Sequence, residues 1–309
     1  MIKNLSICVP TFNRFRYLKR FYNSLKNQDS KKLIDIELII VDDGSTDKTS
    51  NLINLWKNEN IFKISYAFQK NAGRSSALRK AITLSSMDYI MIMDDDCYFL
   101  NNFFSTISNL DINIDNEEKI AGFAFLRKNE DGKIIGNRFK YNYLKTDLIS
   151  IRSKYQKTGD IAEITKTRIM KENLYHLFKN EKRMSTGVIW LNISKYYSYY
   201  FINEAIRVTP YLEDGISKNL RIHKIYSPNS TLYYLQALLD NNHIGFFVKI
   251  NALINFSRYL FFNKKVDKSF HYDKLQLLNK ILVFTFLPIG IILLLSDKYF
   301  VKKTKQKIR

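Results

Sequence analysis

Three adjacent aspartates, Asp94, Asp95 and Asp96, follow the apolar run Tyr89–Met93 in a chain of 309 residues with a formal net charge of +20. Neighbouring carboxylates repel one another, and burial adds a desolvation cost for each charge. Carboxylate oxygens suit Mg²⁺ or Mn²⁺, which keep part of their water shell and bridge to phosphate groups. The cluster therefore indicates a divalent-metal site. The alternative is a solvated acidic loop at the start of a helix.

Polar residues also follow the other short apolar runs of the N-terminal third, which are the predicted strands. These runs are Leu5–Pro10, Asp35–Val41 and Ile61–Phe68. The polar residues that follow them are Thr11 and Asn13, then Asp42 and Asp43, then Asn71 and Arg74. Helical spacing and turn signals predict helices between the strands, over Arg14–Gln28, from Ser45 or Asp47 to Lys57, and from the turn Asn71–Gly73 to Ser85.

Strand and helix thus alternate across the first hundred residues. This is the pattern of an α/β fold with a parallel sheet and helices on both faces. In such sheets, ligands bind at the carboxyl ends of the strands. Because all the polar candidates fall there, one ligand site is expected at this edge.

The middle of the chain gives weaker signals. The segment Asn137–Arg183 is polar and Lys-rich, and it is predicted to form an insertion over the active edge with one helix around Lys166–Phe178. The apolar run Thr186–Asn192 predicts a strand. A helix is expected over Glu213–Leu220, where two acidic residues open it.

Composition limits the class of protein and its partners. With 46% hydrophobic residues the chain can bury a core, and Cys8 and Cys97 lie in apolar runs that predict buried thiols in a reducing cytosol. The N-terminus lacks the pattern of a cleaved signal peptide, so an intracellular location is expected. The basic balance predicts an anionic partner. Nucleic acid is not expected, since the sequence shows no helix–turn–helix, zinc finger or aromatic RNA-binding signature.

The C-terminal tail contains the uncharged run Ile281–Leu295. Fifteen residues of helix reach about 22 Å, less than the roughly 30 Å of a bilayer core, and Pro288 and Gly290 interrupt the run. Positive charge on both sides disfavours a span. The segment is therefore predicted to be re-entrant or interfacial on an anionic membrane surface. A buried core helix and a true span are the alternatives.

Taken together, the motifs resemble those of the family 2 glycosyltransferases, whose nucleotide-sugar-binding fold is called GT-A. The motifs are, in chain order, SICVPTFNR, IELIIVDDGSTDKT, NAGRSSALRKAI, YIMIMDDDCYF and YLEDGISKNL. The resemblance covers Leu5–Asn109 closely and Thr186–Leu220 more loosely. It implies a Rossmann-like, mostly parallel sheet flanked by helices.

The resemblance also implies a division of the chain. Residues 1–225 would form the catalytic domain, in which residues 1–110 bind the nucleotide sugar and residues 111–225 bind the acceptor. By its own composition, rather than by the resemblance, the remainder, residues 226–309, would form a helical, apolar and basic tail that associates with a membrane.

The same resemblance assigns roles at the predicted edge. The residues that would hold the base and ribose of a UDP-, dTDP- or GDP-sugar are Pro10, Thr11, Asn13 and Asp42. Asp43 would support the loop that follows the second strand. Arg74 or Arg79 would contact the base or a phosphate, and Arg74 is favoured.

The remaining acidic residues would carry the chemistry. Asp96 would bind Mg²⁺ or Mn²⁺, Asp94 would bind the ribose, the metal or a metal-bound water, and Asp95 would share either role. Asp214 would be the general base that deprotonates the acceptor hydroxyl, and Glu213 would orient the acceptor or brace Asp214. One in-line displacement would invert the anomeric centre. The alternative for the acidic pair is favourable charge at a helix N-terminus.

The implied function is that of an inverting, metal-dependent glycosyltransferase on the cytoplasmic face of a bacterial membrane. The expected acceptor is a lipid-linked saccharide of capsule or O-antigen synthesis. Because no Gln-x-x-Arg-Trp motif occurs, one sugar is expected per encounter. A protein or teichoic acid acceptor is the alternative within the family. Outside it, the alternatives are a non-catalytic nucleotide-sugar-binding scaffold and a nucleotidyltransferase, and the lack of a Gly-rich phosphate loop disfavours the latter.

Overall fold

The computed structural model of the chain describes residues 2–28, 34–211, 220–261 and 266–307. The chain divides into two compact units. The first comprises Met1–Leu174 with Tyr196–Glu213, and the second comprises Tyr175–Lys195 with Asp214–Arg309. The functional division at residue 225 stays a prediction.

The first unit is built around one β-sheet. Its strands are β1 (Asn4–Thr11), β2 (Asp35–Asp42), β3 (Lys63–Phe68), β4 (Tyr89–Ile92), β5 (Tyr98–Phe99), β6 (Ile120–Lys128), β7 (Leu144–Thr146), β8 (Ala162–Lys166) and β9 (Ser198–Val208). The order across the sheet is β3-β2-β1-β4-β8-β6-β9-β5, and β7 pairs with β9. The helices of this unit are α1 (Phe15–Lys26), α2 (Thr49–Glu59), α3 (Arg74–Leu84), α4 (Phe103–Ser108), α5 (Ser150–Ser153) and α6 (Thr167–Glu172).

The strands β3, β2, β1 and β4 run parallel, as the alternation of strands and helices predicted. β1 and β2 are apolar and almost fully buried, which is typical of parallel strands covered on both faces. The helix α1 adds Leu18, Phe21 and Leu25 to the same core, and Tyr22 of α1 stacks on Trp56 of α2. This packing holds the carboxyl ends of β1, β2 and β4 at one edge.

The rest of the sheet corrects the expectation of a mostly parallel arrangement. β8 pairs antiparallel with β4 and β6, β9 runs parallel to β6, and β5 and β7 pair antiparallel with β9. The sheet is therefore mixed.

The segment Asn137–Arg183 is more than the predicted insertion, because it supplies β8 to the middle of the sheet. The helix predicted around Lys166–Phe178 is reduced to α6. The sequence did not predict β8, because this strand is short and lies in a Lys-rich segment. Its buried residues Ala162 and Ile164 therefore give little period-two signal.

The second unit is helical in its described residues. Its helices are α7 (Gly187–Ile193), α8 (Leu220–Tyr226), α9 (Pro228–Leu239), α10 (Phe246–Leu260), α11 (Lys268–Tyr272), α12 (Leu277–Thr285) and α13 (Leu287–Lys307). The strand predicted over Thr186–Asn192 was wrong, because this run forms α7. A short apolar run does not distinguish a buried strand from a buried helix. Here Asn241 donates from Nδ2 to the Leu191 carbonyl at 2.8 Å and so satisfies a carbonyl near the helix end.

The uncharged run of the tail is divided between α12 and α13. Within the described residues no single helix is long and apolar enough to cross a bilayer, and Leu277–Thr285 with Leu287–Phe300 meets that requirement only as a pair bent by 61°. Asp297 of α13 is fully buried and accepts hydrogen bonds from Arg258 Nε of α10 at 2.7 Å and from Arg221 Nε of α8 at 2.9 Å. A buried ion-pair cluster therefore fixes α13 within this unit.

Candidate functional site

The carboxyl edge of the sheet brings the polar candidates together. Thr11 at the end of β1 and Asp42 at the end of β2 are in register, and Phe68 of β3 lies beside Asp42. The Thr11 hydroxyl donates to Asp95 Oδ2 at 2.7 Å, which joins residues 84 positions apart. The loops that follow β1, β2 and β4 therefore meet at one place, as the sequence predicted.

Asp42 is a buried hydrogen-bond acceptor at this edge, with 1% of its surface exposed. Its Oδ1 accepts from the backbone N–H of Ser45 at 2.7 Å, and its Oδ2 accepts from the Tyr66 hydroxyl at 2.9 Å. Burial and the hydrogen bond to Asp42 raise the pKa of Tyr66, so this hydroxyl keeps its proton. Since a carboxylate has about four acceptor positions, these two hydrogen bonds use only part of the acceptor capacity of Asp42.

Asp43 uses both carboxylate oxygens inside the protein. It accepts from Gln69 Nε2 at 2.7 Å and from the backbone N–H groups of Ala72 and Gly73 at 2.8 Å each. Gly44 has a φ of +89°, and a Cβ there would lie 3.0 Å from a backbone nitrogen of the loop after β3. This geometry fits the supporting role predicted for Asp43 and requires glycine at the turn.

Pro10 and Asn13 shape the loop after β1. Pro10 is buried within β1 and is in register with Val41. Asn13 is exposed with a left-handed φ of 52°. Its Oδ1 accepts from the Thr46 N–H at 2.8 Å, and its own N–H donates to Ser45 Oγ at 2.8 Å. Asn13 therefore links the loops after β1 and β2.

Asp94 forms an ion pair with Arg74 at the start of α3. Arg74 Nε donates to Asp94 Oδ1 at 3.0 Å, and Arg74 Nη2 makes a second contact with the same oxygen. Burial acts to raise the pKa of Asp94, but Arg74 and Arg207 outweigh it and lower the pKa to about 2. Arg79 lies on the exposed face of α3. Of the two predicted arginines, Arg74 is the one paired with the acidic cluster.

Arg207 is a residue that sequence reasoning missed. It lies on β9 with 2% of its surface exposed, and its Nη1 donates to the Ile92 carbonyl at 2.7 Å and contacts Met93 Sδ at 3.3 Å. It thus holds the end of β4 directly before the acidic cluster. Burial, followed by the charge of Arg127 on β6, lowers the pKa of Arg207 to about 10, so it remains a cation at neutral pH. Its one sequence signal, a single arginine in the run FINEAIRV, is weak.

Burial and neighbouring negative charge disfavour the ionised forms of Asp95 and Asp96. Burial raises the pKa of Asp95 to about 7; the hydrogen bond from Thr11 opposes this shift, and the charges of Asp96 and Asp94 add to it. Burial and the charge of Asp94 also raise the pKa of Asp96. The contacts of the Asp96 carboxylate are long, 3.6 Å from Cys97 Sγ and 4.0 Å from Arg14 Nη1.

The acidic cluster fits a divalent cation. A cation would offset the burial and the neighbouring negative charges that raise the pKa of Asp95 and Asp96, and the long contacts of Asp96 leave its oxygens available as hard ligands. Among the described residues, no group of three or more His, Cys, Asp or Glu side chains is arranged to hold a metal ion. Water and a substrate phosphate would therefore have to complete the coordination shell.

Glu213 and Asp214, the two acids predicted on the acceptor side, lie outside the described residues. So does the predicted helix Glu213–Leu220, apart from its last residue, with which α8 begins. The roles of both acids stay predictions.

The fold and the site can be assigned to a known family. The model described as Glycosyl transferase family 2 matches residues 6–197, which is more than half of the chain. The chain therefore belongs to glycosyl transferase family 2, and the resemblance seen in its motifs is confirmed.

Curated relatives carry glycosyltransferase names. The chain is 38% identical over 93 residues to abequosyltransferase RfbV of Salmonella typhimurium, which covers 30% of this chain and 28% of the relative. It is 26% identical over 213 residues to GalNAc(5)-diNAcBac-PP-undecaprenol beta-1,3-glucosyltransferase of Campylobacter jejuni, which covers 66% of this chain and 63% of the relative. The matches thus span less than two thirds of the length of either relative.

Solved structures of glycosyltransferases have the same fold. TarS of Staphylococcus aureus in complex with UDP-GlcNAc matches with a TM-score of 0.60 and 18% identity, covering 94% of this chain and 81% of that one. Mannosyltransferase PcManGT from Pyrobaculum calidifontis in complex with GDP-Man and Mn²⁺ matches with a TM-score of 0.53 and 13% identity, covering 96% and 88%. At these identities the likeness concerns the fold, which is GT-A.

Proposed function

We propose that this chain is an inverting glycosyltransferase that moves one sugar from a nucleotide-sugar donor to a hydroxyl group of a lipid-linked saccharide, in the synthesis of a bacterial cell-surface polysaccharide. The observation that carries the proposal is the meeting of Thr11, Asp42 and the cluster Asp94–Asp96 at one sheet edge in a member of this family. Such an edge offers acceptors for a nucleoside and acids for a metal-bound diphosphate.

Asp42 and Arg74 would recognise the donor. The carboxylate of Asp42 has unused acceptor positions for the N–H groups of a base or the hydroxyls of a ribose. Arg74 would contact a phosphate of the donor, as guanidinium groups commonly do. UDP-, dTDP- and GDP-sugars are all candidates, and the solved structures of similar fold hold UDP-GlcNAc and GDP-Man.

Asp96 and Asp94 would hold Mg²⁺ or Mn²⁺, in line with the Mn²⁺ in the structure of PcManGT. Bound there, the ion would neutralise the charge that develops on the nucleoside diphosphate as the sugar bond breaks. Arg207 would keep both aspartates in position, because it fixes the Ile92 carbonyl just before them.

Asp214 would take the proton from the acceptor hydroxyl, with Glu213 orienting the acceptor. Asp214→Asn should keep donor binding and slow transfer by about 10²- to 10⁴-fold. Asp240→Asn, which removes another carboxylate of the second unit, is the matched control and should retain transfer. Transfer by Asp214→Asn at the wild-type rate would refute the base assignment.

A lipid-linked acceptor is favoured over the alternatives within the family. The Campylobacter jejuni relative is named for a PP-undecaprenol-linked saccharide, and it matches two thirds of this chain. The poly(ribitol-phosphate) beta-N-acetylglucosaminyltransferase TarS, which supports a teichoic acid acceptor, matches 30% of the chain at 30% identity. Product analysis would decide, because a labelled sugar on a lipid extracts into butanol, whereas a labelled polymer or protein stays in water.

The second unit would bind the enzyme to the cytoplasmic face of the membrane through an apolar surface on α12 and α13. Ile281, Ile292 and Leu295 are 57%, 66% and 59% exposed. An exposed apolar patch of this kind marks a partner surface, and the lysines that flank it in sequence would attract anionic lipid.

Vesicle flotation tests the membrane assignment. Replacing Ile281, Ile292 and Leu295 by serine should release the protein from vesicles containing anionic lipid. The control replaces Leu55 and Leu84, exposed leucines of the first unit, by serine and should still float. Undiminished flotation of the triple variant would exclude this surface.

A nucleotide-sugar screen tests the function as a whole. One donor should be hydrolysed slowly in Mg²⁺ or Mn²⁺, and the hydrolysis should stop with EDTA. A non-catalytic scaffold would bind the donor without turnover, with or without metal and acceptor. Binding without any release of nucleotide would therefore replace the enzyme proposal by the scaffold.

A further inference from the structure

Arg127 and Glu163 lie at the carboxyl edge of the sheet, beside the acidic cluster. Arg127 is the last residue but one of β6, and Glu163 is the second residue of β8. Because β8 pairs antiparallel with both β4 and β6, these two strands point the same way, and β8 begins at the edge where they end. The charge of Arg127 helps to lower the pKa of Asp94, which places the arginine close to the cluster.

The guanidinium of Arg127 faces two carboxylates without a hydrogen bond to either. Its Nη2 lies 3.8 Å from Glu163 Oε2, and its Nη1 lies 3.8 Å from Asp160 Oδ2. Both distances exceed the roughly 3.2 Å limit of an N–H···O hydrogen bond. The Nε of Arg127 is buried and has no hydrogen-bond partner among the residues that the structure describes. The guanidinium therefore retains donors for a ligand.

The pair of Arg127 and Glu163 is desolvated but still accessible. Each of the two side chains is 12% exposed. Arg207 is opposite Arg127 in the register of β6 and β9, and it adds a second buried cation. Burial raises the pKa of Glu163, and the charges of Arg127 and Arg207 oppose this shift. A ligand group that hydrogen-bonds to both members of the pair would offset part of their desolvation cost.

The gap between Arg127 and Glu163 fits one hydroxyl group. An oxygen atom beside the gap can lie about 2.8 Å from both Arg127 Nη2 and Glu163 Oε2. A hydroxyl group accepts a hydrogen bond from the guanidinium and donates one to the carboxylate. A phosphate oxygen has no proton to donate and would be repelled by Glu163, and so would the carboxylate of an acidic sugar. The pair therefore favours a neutral hydroxyl group.

The position of the pair along the edge matches that of the sugar in a nucleotide sugar. Asp42, the proposed nucleoside contact, ends β2, and the acidic cluster, the proposed diphosphate site, follows β4. In the order β2-β1-β4-β8-β6, the pair on β8 and β6 lies beyond the cluster, on the side away from Asp42. Because neighbouring strands are about 4.8 Å apart, β6 is about 10 Å from β4. Nucleoside, diphosphate and sugar are joined in the same order in the donor.

We propose that Arg127 and Glu163 bind one hydroxyl group of the transferred sugar and thereby help to select the donor. The hydroxyl donates to Glu163 and accepts from Arg127. A donor that lacks this hydroxyl, or carries a carboxylate in its place, binds less tightly, because the pair is then left unsatisfied or repels the sugar. The inference rests on the proposed function, since the sugar belongs to the donor of that reaction.

Calorimetry in Mn²⁺ separates sugar binding from nucleotide binding. The probes are UDP-glucose, UDP-GlcNAc, dTDP-glucose and GDP-mannose, each compared with its free nucleoside diphosphate. Glu163→Gln keeps the shape and removes the charge, so it should weaken binding of the nucleotide sugar about 3- to 10-fold and change binding of the free nucleotide less than about twofold. Arg127→Lys keeps the charge but loses the planar fork, and the same result is expected. Equal losses for nucleotide sugar and nucleotide, or no loss for either, would overturn the proposal.

Monodeoxy analogues of the bound donor identify the hydroxyl. In the wild type, one position should give a larger loss of affinity than the others when its hydroxyl is removed. In Glu163→Gln this loss should shrink, because the hydroxyl and its partner are coupled. A loss of the same size in the wild type and the variant would show that Glu163 does not contact the sugar.

Glu37→Gln is the matched control. Glu37 is another buried glutamate of the first unit with a cationic partner, Lys63, at 2.9 Å, and it lies near the amino end of β2. This variant should bind both the nucleotide sugar and the nucleotide with wild-type affinity. A sugar-specific loss in Glu37→Gln would assign the effect to a general disturbance of the sheet and overturn the proposal.

Failure of this inference is distinguishable from failure of the proposed function. Metal-dependent hydrolysis of a nucleotide sugar by the wild-type protein tests the proposed function without either variant. Hydrolysis together with unchanged sugar binding in Glu163→Gln and Arg127→Lys refutes this inference alone. If the wild type neither binds nor hydrolyses any of the nucleotide sugars, the proposed function and this inference are both refuted.

Discussion

Replacing Asp297 by asparagine tests how α13 is fixed within the second unit. The Asp297 side chain is fully buried, whereas the side chains of its partners Arg258 and Arg221 are 13% and 42% exposed. Asp297→Asn keeps the shape and removes the charge, so Arg258 is left as a largely buried cation without a counter-charge among the described residues. Breaking a buried ion pair in this way costs about 3–5 kcal/mol. Arg221 is exposed enough to turn into water, so the loss of its partner adds about 0–1 kcal/mol.

Urea unfolding followed by tryptophan fluorescence measures the loss. The chain has two tryptophans, of which Trp56 lies in the first unit and Trp190 lies on α7 in the second. In a Trp56→Phe background, the remaining fluorescence reports the second unit. The combined loss is about 3–6 kcal/mol, so for an m value of about 2 kcal/mol per M, Asp297→Asn should lower the urea midpoint by about 1.5–3 M.

Two controls separate the buried charge from other effects. Arg221→Gln should cost no more than about 1 kcal/mol, because this arginine is partly solvated. Arg258→Met combined with Asp297→Leu removes the pair without leaving a buried charge, so the double variant should stay near the wild-type stability. If Asp297→Asn unfolds at the wild-type urea concentration, α13 is not held by this ion pair, and the apolar surface defined on α12 and α13 loses its basis.

Three further changes test the site and its support. Tyr66→Phe removes a donor to Asp42 and should weaken UDP binding about 3- to 10-fold in calorimetry; unchanged affinity would mean that Asp42 does not contact the donor. Asp96→Asn should abolish the metal-dependent release of nucleotide from a donor, and release at the wild-type rate would contradict the metal assignment. Burial acts to raise the pKa of Glu37, but its hydrogen bonds, including that from Lys63, lower the pKa below its ordinary 4.5. The contribution of Glu37 to stability is therefore present above about pH 4.5 and is lost as the pH falls further. Glu37→Gln should therefore flatten the fall in urea midpoint between about pH 5 and 3, and an unchanged slope would refute this reasoning.

The first half of the site could be predicted because its signals are local. Buried parallel strands occur as apolar runs, and each run here ends at a polar residue of the edge. The predicted strands Leu5–Pro10 and Asp35–Val41 lie within β1 and β2, which extend one residue further at the carboxyl end. Parallel pairing then places Thr11 beside Asp42 without any further information.

The second half of the site depends on strand pairings between residues far apart in the chain, which no short stretch of sequence reveals. β8 enters the sheet between β4 and β6, although it comes after both in the chain. Arg207 reaches the site because β9 pairs with β6, and its hydrogen bond to the Ile92 carbonyl joins residues 115 positions apart. Its position and its partner became apparent only from the sheet register, and so the supporting cation of the acidic cluster was missed.

The aspartates at this edge differ in how many hydrogen bonds they already accept from the protein. This difference indicates which of them support the loops and which can bind a ligand. Asp43 accepts three hydrogen bonds from its own loops, whereas Asp42 accepts two and the carboxylate of Asp96 has only long contacts among the described residues. A ligand that binds Asp42 or Asp96 therefore displaces few existing hydrogen bonds. Asp94 is different, because its Oδ1 already accepts from Arg74 and can turn to a metal only by giving up that contact. That exchange leaves the guanidinium of Arg74 beside the incoming phosphate, so metal and diphosphate should bind together more tightly than either binds alone.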